Sequence, residues 1–370
     1  MPELFEKNVL TGIELQNRFV RSATFEGLAT PEGAATDRMS DLLVDLVKGH
    51  VGLIITGHAY VSPEGQAGNL QLAIHSDELV ESHKKMVDAI HAASGKVVLQ
   101  IAHSGCQADP QVTGQPPIAP SQIERPKGVI AKEMTTQDID RVVNAFGLAA
   151  KRAKDSGYDA VQIHAAHGYL LSQFLSPYYN KRTDEYGQTK ENRARIVVEV
   201  IKAIKANAGE DYPIHIKMNS EDFIEGGMTA DQMLQTAKIL QQNGIGAIEL
   251  SGGAIDSPPE VSPVRPEKTP STEWEVFYRD SAKRFKQEIS VPLILVGGFR
   301  TFDVAKQAIG TSLADYISLC RPLVREPDLI KRWQSGDTKR ATCISCNGCF
   351  IPARKGKGIY CVVEKRQQRK

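Results

Sequence analysis

Two histidines stand three residues apart in His164-Ala-Ala-His167-Gly-Tyr169, and a phenol follows two positions later. Neutral imidazoles can donate hydrogen bonds to a carbonyl oxygen or bind a metal ion. A tyrosine, with an ordinary pKa of ~10, can deliver a proton. Two packed histidines and a core tyrosine at a helix start would read the same way. A metal site would need a carboxylate that the adjoining sequence does not offer. Gly297-Gly298 and Arg321 form a second group. Glycine N–H groups beside a cation suit a phosphate, although glycines also serve as plain turn residues. Gln100, with His103 shortly after it, and Lys217 lie in otherwise apolar runs. An inward lysine needs an anionic partner because an unpaired buried charge is costly; at a strand end it can simply be solvated.

The third group is Cys343-Ile-Ser-Cys346-Asn-Gly-Cys349, with Cys361 twelve residues on. In a reducing compartment, four thiols in so short a span favour a metal over disulfides. CxxCxxC with a remote fourth cysteine suits a 4Fe-4S cluster; four-coordinate zinc is the second reading and no metal the third. Cys106 and Cys320 stand apart and read as buried thiols.

Eight short apolar, β-branched-rich runs are available to hold these groups: Phe19–Ala23, Leu53–Thr56, Val97–Ala102, Ala160–His164, Ile214–Met218, Ala247–Leu250, Leu293–Val296 and Tyr316–Leu319. Runs of this kind suit parallel strands buried on both faces. Helix-length stretches separate many of them. The clearest run from Thr136 (a plausible N-cap) to Ser156, from Asn192 to Ala206 and from Thr229 to Asn243. Eight alternations predict an α/β chain folded as a (β/α)8 TIM barrel, with an open doubly wound sheet as the alternative. No GxGxxG follows the first strand, which weighs against the dinucleotide-binding fold. In a barrel, catalytic groups sit just past the C-terminal ends of the strands, where the histidines, Tyr169, the glycine pair and Arg321 fall. Ser104 to Thr135 reads as a long irregular stretch, often a functional cap.

The 370 residues carry a net charge of +1, with 41% hydrophobic, 24% charged and 6% aromatic residues. This balance excludes neither a large core nor an enzyme, and argues against a dedicated nucleic-acid binder. No apolar run approaches the ~18 residues of a membrane span, and the start lacks a signal peptide's apolar stretch, so a cytoplasmic protein is expected. The near-neutral charge is a cancellation. Residues 351–370 hold Arg354, Lys355, Lys357, Lys365, Arg366, Arg369 and Lys370 against Glu364 alone. The expected division is a barrel over 1–335 and a basic, cysteine-rich extension over 336–370.

The block HAAHGYLLSQFLSPYYNKRTDEYG, from His164 to Gly187, with ENR at 191–193, is very similar to the signature of the old yellow enzyme family of flavin-dependent ene-reductases. NRFV at 17–20, QIAHSG at 100–105, VGGF at 296–299 and RPLVREPDL at 321–329 extend the resemblance over most of the chain. The cysteine segment resembles the iron–sulfur segment of the 2,4-dienoyl-CoA reductase branch. The resemblance implies a TIM barrel holding FMN noncovalently, with NAD(P)H as electron donor. It places Gln100 on the flavin ring, Lys217 at its N1/O2 edge, and Ala23, Thr24, His58 and Cys320 among its contacts. Gly297, Gly298 and Arg321 would hold the phosphate. His164 and His167 would bind a substrate carbonyl, hydride would pass from flavin N5 to the β-carbon, and Tyr169 would protonate the α-carbon.

Several positions depart from the family pattern. Lys217 stands where arginine is usual, Phe25 where threonine or cysteine sits near flavin O4, His58 where a small residue is usual, and Cys106 where HxGR has arginine. The second and third tail cysteines are one residue closer than in the dienoyl-CoA reductases, whose downstream flavin and nucleotide domains have no counterpart in these 370 residues. The implied partners are an unsaturated carbonyl compound and an acidic electron carrier at the basic tail, which could equally be a solvated end. A homo-oligomer is compatible with the sequence; nucleic acid and membrane are not expected. Two rivals remain: a metal-dependent barrel hydrolase using His164 and His167, and a non-catalytic redox or zinc-binding module.

Overall fold

A computed structural model describes residues 3–266 and 271–368; Arg369 and Lys370 of the basic tail lie outside them. The eight expected strands all form. They are β1 (Phe19–Arg21), β2 (Leu53–Ile55), β3 (Val97–Ala102), β4 (Ala160–Ala165), β5 (Ile214–Asn219), β6 (Ala247–Ser251), β7 (Leu293–Val296) and β8 (Tyr316–Leu319). Each pairs in parallel with the next, and β8 returns to β1, closing the barrel. Almost every strand residue is buried, which is why the strands read as unbroken apolar runs rather than alternations.

Helices follow the strands as α1 (Asp37–Lys48), α2 (Val80–Ala92), α3 (Thr136–Asp155), α4 (Lys190–Ala208), α5 (Ala230–Gln242), α6 (Arg279–Glu288), α7 (Phe302–Gly310) and α8 (Leu329–Gln334). The N-cap of α3 is Thr135 rather than the expected Thr136. Its side chain accepts the Asp138 N–H, and the Asp138 carboxylate accepts the Thr135 N–H, a reciprocal box that Thr136 could not close. Helices α4 and α5 start on Thr189 and Thr229, whose side chains accept in the same way.

Three features go beyond the expected strands. A two-residue strand, Ala59–Tyr60, pairs in parallel with the end of β3. A hairpin of Asn8–Leu10 and Ile13–Leu15 turns at Thr11-Gly12, both with left-handed backbone, and seals the N-terminal end of the barrel. The stretch from 104 to 135 is not irregular throughout: Ile118–Ala119, Ile123–Arg125 and Val129–Glu133 form a small sheet. Beyond α8, the chain returns to the barrel. The Ala341 N–H donates to Arg300 O at 2.8 Å, and the Ile359 N–H donates to Glu26 O at 2.8 Å. No helix among the described residues is long and apolar enough to cross a membrane.

Candidate active site

Inside the barrel, side chains two positions apart on a strand lie one layer apart along the axis. At the N-terminal floor, Val20, Val98, Ala160 and Ala247 pack in a dry cluster. Two residues later on the same strands come Ser22, Gln100, Gln162 and Glu249, and these form one hydrogen-bonded layer. The Glu249 carboxylate accepts from Ser22 Oγ at 2.7 Å, Ser318 Oγ at 2.8 Å and Gln162 Nε2 at 3.0 Å. Gln100 Nε2 donates to Gln162 Oε1 at 2.7 Å.

Lys217 belongs to the same layer. Its Nζ lies 3.3 Å from Glu249 and donates to Ser22 Oγ at 2.7 Å, with 5% and 0% of the two charged side chains exposed. The anionic partner that an inward lysine requires is therefore Glu249, hidden in the apolar run AIEL. Burial alone would push the Glu249 carboxyl up. The Lys217 ammonium and three donated hydrogen bonds outweigh it and hold the group below its ordinary value.

One layer higher, at the mouth, the first chemical group assembles. His164, the last residue but one of β4, lies in register with Lys217. His167 and Gly168 both take left-handed backbone, a strained choice for histidine, and the chain turns there to start a short helix at Leu170. The turn is held from three sides. The His167 N–H donates to Asn219 Oδ1 at 3.1 Å, and Gln107 Nε2 donates to the carbonyls of His167 and Gly168 at 2.9 and 2.6 Å. His167 Nε2 meets Ser251 Oγ at 2.8 Å.

The ring centroids of His164 and Tyr169 are 4.7 Å apart, and those of His164 and His167 are 5.3 Å apart. His58, from the turn after β2, joins them, with its Nε2 3.1 Å from the Tyr169 hydroxyl. Phe25 packs on His58 at 6.0 Å. Burial lowers His58 to about 4. His164 and His167 also fall well below the usual histidine value, through burial first and then neighbouring positive groups. Burial raises the Tyr169 phenol. At neutral pH the mouth thus presents three uncharged imidazoles and a protonated phenol. His164 Nδ1 is buried without a hydrogen-bond partner among the described residues.

The second group lies beside the first. Gly298 has φ +79, and a Cβ there would fall 2.4 Å from the Phe277 ring, so only glycine fits. Arg321 Nη1 donates to the carbonyl of Arg265 and to Asn347 Oδ1, each at 2.7 Å. The Arg265 guanidinium stacks 4.5 Å from the Phe277 centroid. Arg265, with Gly298 and Ser345, lines a cavity that sequence reading did not reach, because the loop after β6 carries no periodicity. Thr24 Oγ1 meets Cys320 Sγ at 3.0 Å, and Ala23 lies against the floor cluster.

The third group adjoins the second. Cys343, Cys346, Cys349 and Cys361 line one small cavity with Arg321 and Asn347. All six cysteines are free thiols. Burial, with Cys320 and Cys343 nearby, pushes the Cys349 thiol up to about 12. Among the described residues no three His, Cys, Asp or Glu side chains converge as a single metal ion requires. Cys320 does not stand apart: it touches Thr24 on one side and neighbours Cys349 of the cysteine cavity on the other.

Residues 3–340 match the model of the NADH:flavin oxidoreductase / NADH oxidase family. The chain is 34% identical over 355 residues to an NADH oxidase of Thermoanaerobacter brockii, covering 94% of this chain and 54% of that protein. It is 29% identical to a cinnamate reductase of Clostridium sporogenes, covering 97% of this chain and 57% of that protein. Its fold superposes on a 2-naphthoyl-CoA reductase bound to 2-naphthoyl-CoA with a TM-score of 0.91 and 28% identity, over 98% of this chain and 57% of that one. The chain thus spans about half the length of these relatives.

Proposed function

Because the chain belongs to the NADH:flavin oxidoreductase / NADH oxidase family, we propose that it reduces the C=C bond of an enone- or enoate-like substrate, with FMN resident in the barrel mouth and NAD(P)H as electron source. The observation that carries this reading is the cluster of two neutral histidines and a protonated phenol directly above the Lys217–Glu249 layer. The donor set suits the cofactor: Gln100 and Lys217 offer polar contacts to a flavin ring, and the Gly298 turn beside Arg321 suits its phosphate. When bound, FMN supplies the hydride. His164 and His167 hold the substrate's carbonyl oxygen by N–H donation and stabilise the enolate that develops there. The Nδ1 of His164 supports that role, since it has no hydrogen-bond partner among the described residues to give up. Tyr169 then releases its hydroxyl proton to the α-carbon.

Cinnamate and 2-naphthoyl-CoA, from the names of two relatives, are both aryl-conjugated carboxyl compounds, so a conjugated acid derivative is the first substrate class to try. The hydrolase rival loses support because no three His, Cys, Asp or Glu side chains converge among the described residues, and the non-catalytic module from the assembled donors. We place a 4Fe-4S cluster at the four thiols. Its cube is wider than one ion, so its ligands need not converge on a point as zinc ligands do. The basic residues around Cys361 would then dock an acidic electron carrier in a reducing cytoplasm.

Purified protein is expected to be yellow with stoichiometric FMN and to oxidise NADH or NADPH when cinnamate or cinnamoyl-CoA is added. A protein that takes up no FMN, or that holds FMN and leaves every conjugated carbonyl unreduced, overturns the reading. Fast reduction by NADPH in a stopped-flow cell would make a protein donor unnecessary.

A further inference from the structure

We propose that His58 is a positioning residue that aims the Tyr169 hydroxyl at the substrate and restores its proton from water; this rests on the reading of Tyr169 as proton donor. The backbone at His58 is built for a fixed placement. Gly57 donates its N–H to Glu26 Oε1 at 2.9 Å, and Glu26 is itself paired with Arg21 at 2.8 Å, both side chains nearly inaccessible. Arg21 also donates to Ile55 O at 2.6 Å, at the end of β2. A Cβ at position 57 would lie 1.9 Å from Glu26 Oε2, so the approach requires glycine. On the other side, Gln71 Nε2 donates to His58 O at 3.0 Å. A buried ion pair and a glycine contact are an expensive way to hold a residue that merely narrows a pocket.

The ring itself is clamped between Phe25 and Tyr169, which it meets edge-on at 71°. With the proton on Nδ1, Nε2 accepts from the phenol and draws its hydrogen away from the substrate. With the proton on Nε2, the imidazole donates to the phenol oxygen, and the hydroxyl hydrogen is free to point at the α-carbon. The second tautomer is the productive one. Charge then develops on the phenol oxygen opposite a preorganised donor, where it is best stabilised.

The proton balance closes without further groups. The Tyr169 O–H bond breaks as the α-carbon gains its hydrogen. The phenolate oxygen takes the Nε2 hydrogen of His58, and Nδ1 takes one from water. The net cost is one solvent proton, and the imidazole regains its starting tautomer by exchange. An imidazole kept neutral by burial suits this relay, because it holds one proton and has one vacant nitrogen.

The test uses the FMN holoenzyme and 2-cyclohexen-1-one as probe. Reoxidation of the reduced enzyme is followed by stopped flow between about pH 5 and pH 9, in water and in deuterium oxide, for the wild type and for H58F, H58N and Y169F. H58F is expected to slow reoxidation on the order of 10- to 100-fold and to turn a two-proton solvent isotope dependence into a one-proton one. H58N keeps an N–H donor and should recover about tenfold of the loss. A readout independent of turnover is the side-chain 15N spectrum of the oxidised holoenzyme, where His58 should be the Nε2–H tautomer and should shift in Y169F. If Y169F is slow while H58F and H58N match the wild type in rate and isotope dependence, the proposal fails and the proton-donor reading stands. If Y169F matches the wild type, the proton-donor reading fails and the proposal with it. If H58F does not hold FMN, H58N and the 15N spectrum decide between the same outcomes.

Discussion

The floor and the mouth of this barrel are built from the same strands, four residues apart with a polar layer between them, and they are different chemical environments. On β3 the step is from Val98 to Gln100, on β4 from Ala160 to Gln162, on β6 from Ala247 to Glu249. Below, contact is apolar and is completed by Leu10, Ile13 and Leu15 of the hairpin. Above, every charge and amide is tied to another strand, and the next layer holds the titratable groups. The difference teaches that a parallel barrel can put stability and chemistry on one strand without compromise. An alternating side-chain direction returns to the interior every second residue, so each layer can be specified separately.

The contrast can be attacked at its weakest point, the charged layer between the two. Glu249→Gln leaves the Lys217 ammonium buried without its counter-charge. The expected loss is about 3–5 kcal/mol in urea unfolding, together with loss of bound FMN. An unchanged midpoint would mean that the layer is a set of separate hydrogen bonds rather than an electrostatic unit. Leu53→Ala at the floor should cost about 2–5 kcal/mol through an unfilled cavity, with turnover per folded molecule unchanged. A floor variant that altered turnover at constant folded fraction would break the division of labour.

Spread over both regions is the response to pH. His58 at the mouth, His215 at the floor and His83 outside the barrel interior are each lowered to about 4 by burial, against about 6.5 in an unfolded chain. Below pH about 6.5 the unfolded chain binds the extra protons and the folded one does not. Stability therefore falls as pH drops from about 6.5 to about 4, with a slope of at most about 1.4 kcal/mol per pH unit for each group. Urea midpoints taken through this window should decline toward acid. Midpoints independent of pH there would show that burial does not lower these imidazoles in the folded chain.

Much of this molecule was legible before any coordinates. Burial on both faces makes each strand a short β-branched run, so all eight could be found by composition alone. The histidine–tyrosine spacing marked the mouth, because a strand end followed by a turn is where a barrel carries its reactive groups. The spacing of Cys343, Cys346 and Cys349 marked the extension. What escaped were single polar residues inside apolar runs. Glu249 in AIEL and Gln162 in AVQIH look like interruptions until the register shows them meeting. The hairpin escaped because NVL and IEL are too short to stand out, and Thr135 lost the cap to Thr136 because adjacent threonines look alike in sequence.

The sequence by itself determined the alternation, the strand ends and the chemical types held there, because these depend on local pattern and on which residues are long and apolar enough to be buried. Only the tertiary structure decided the partners. Lys217 finds Glu249 on the adjacent strand, Tyr169 finds His58 across 111 residues, and Cys320 meets Thr24 across 296. Such pairings depend on barrel closure, which sets each strand's register against its neighbours, and no local pattern in the chain records that register.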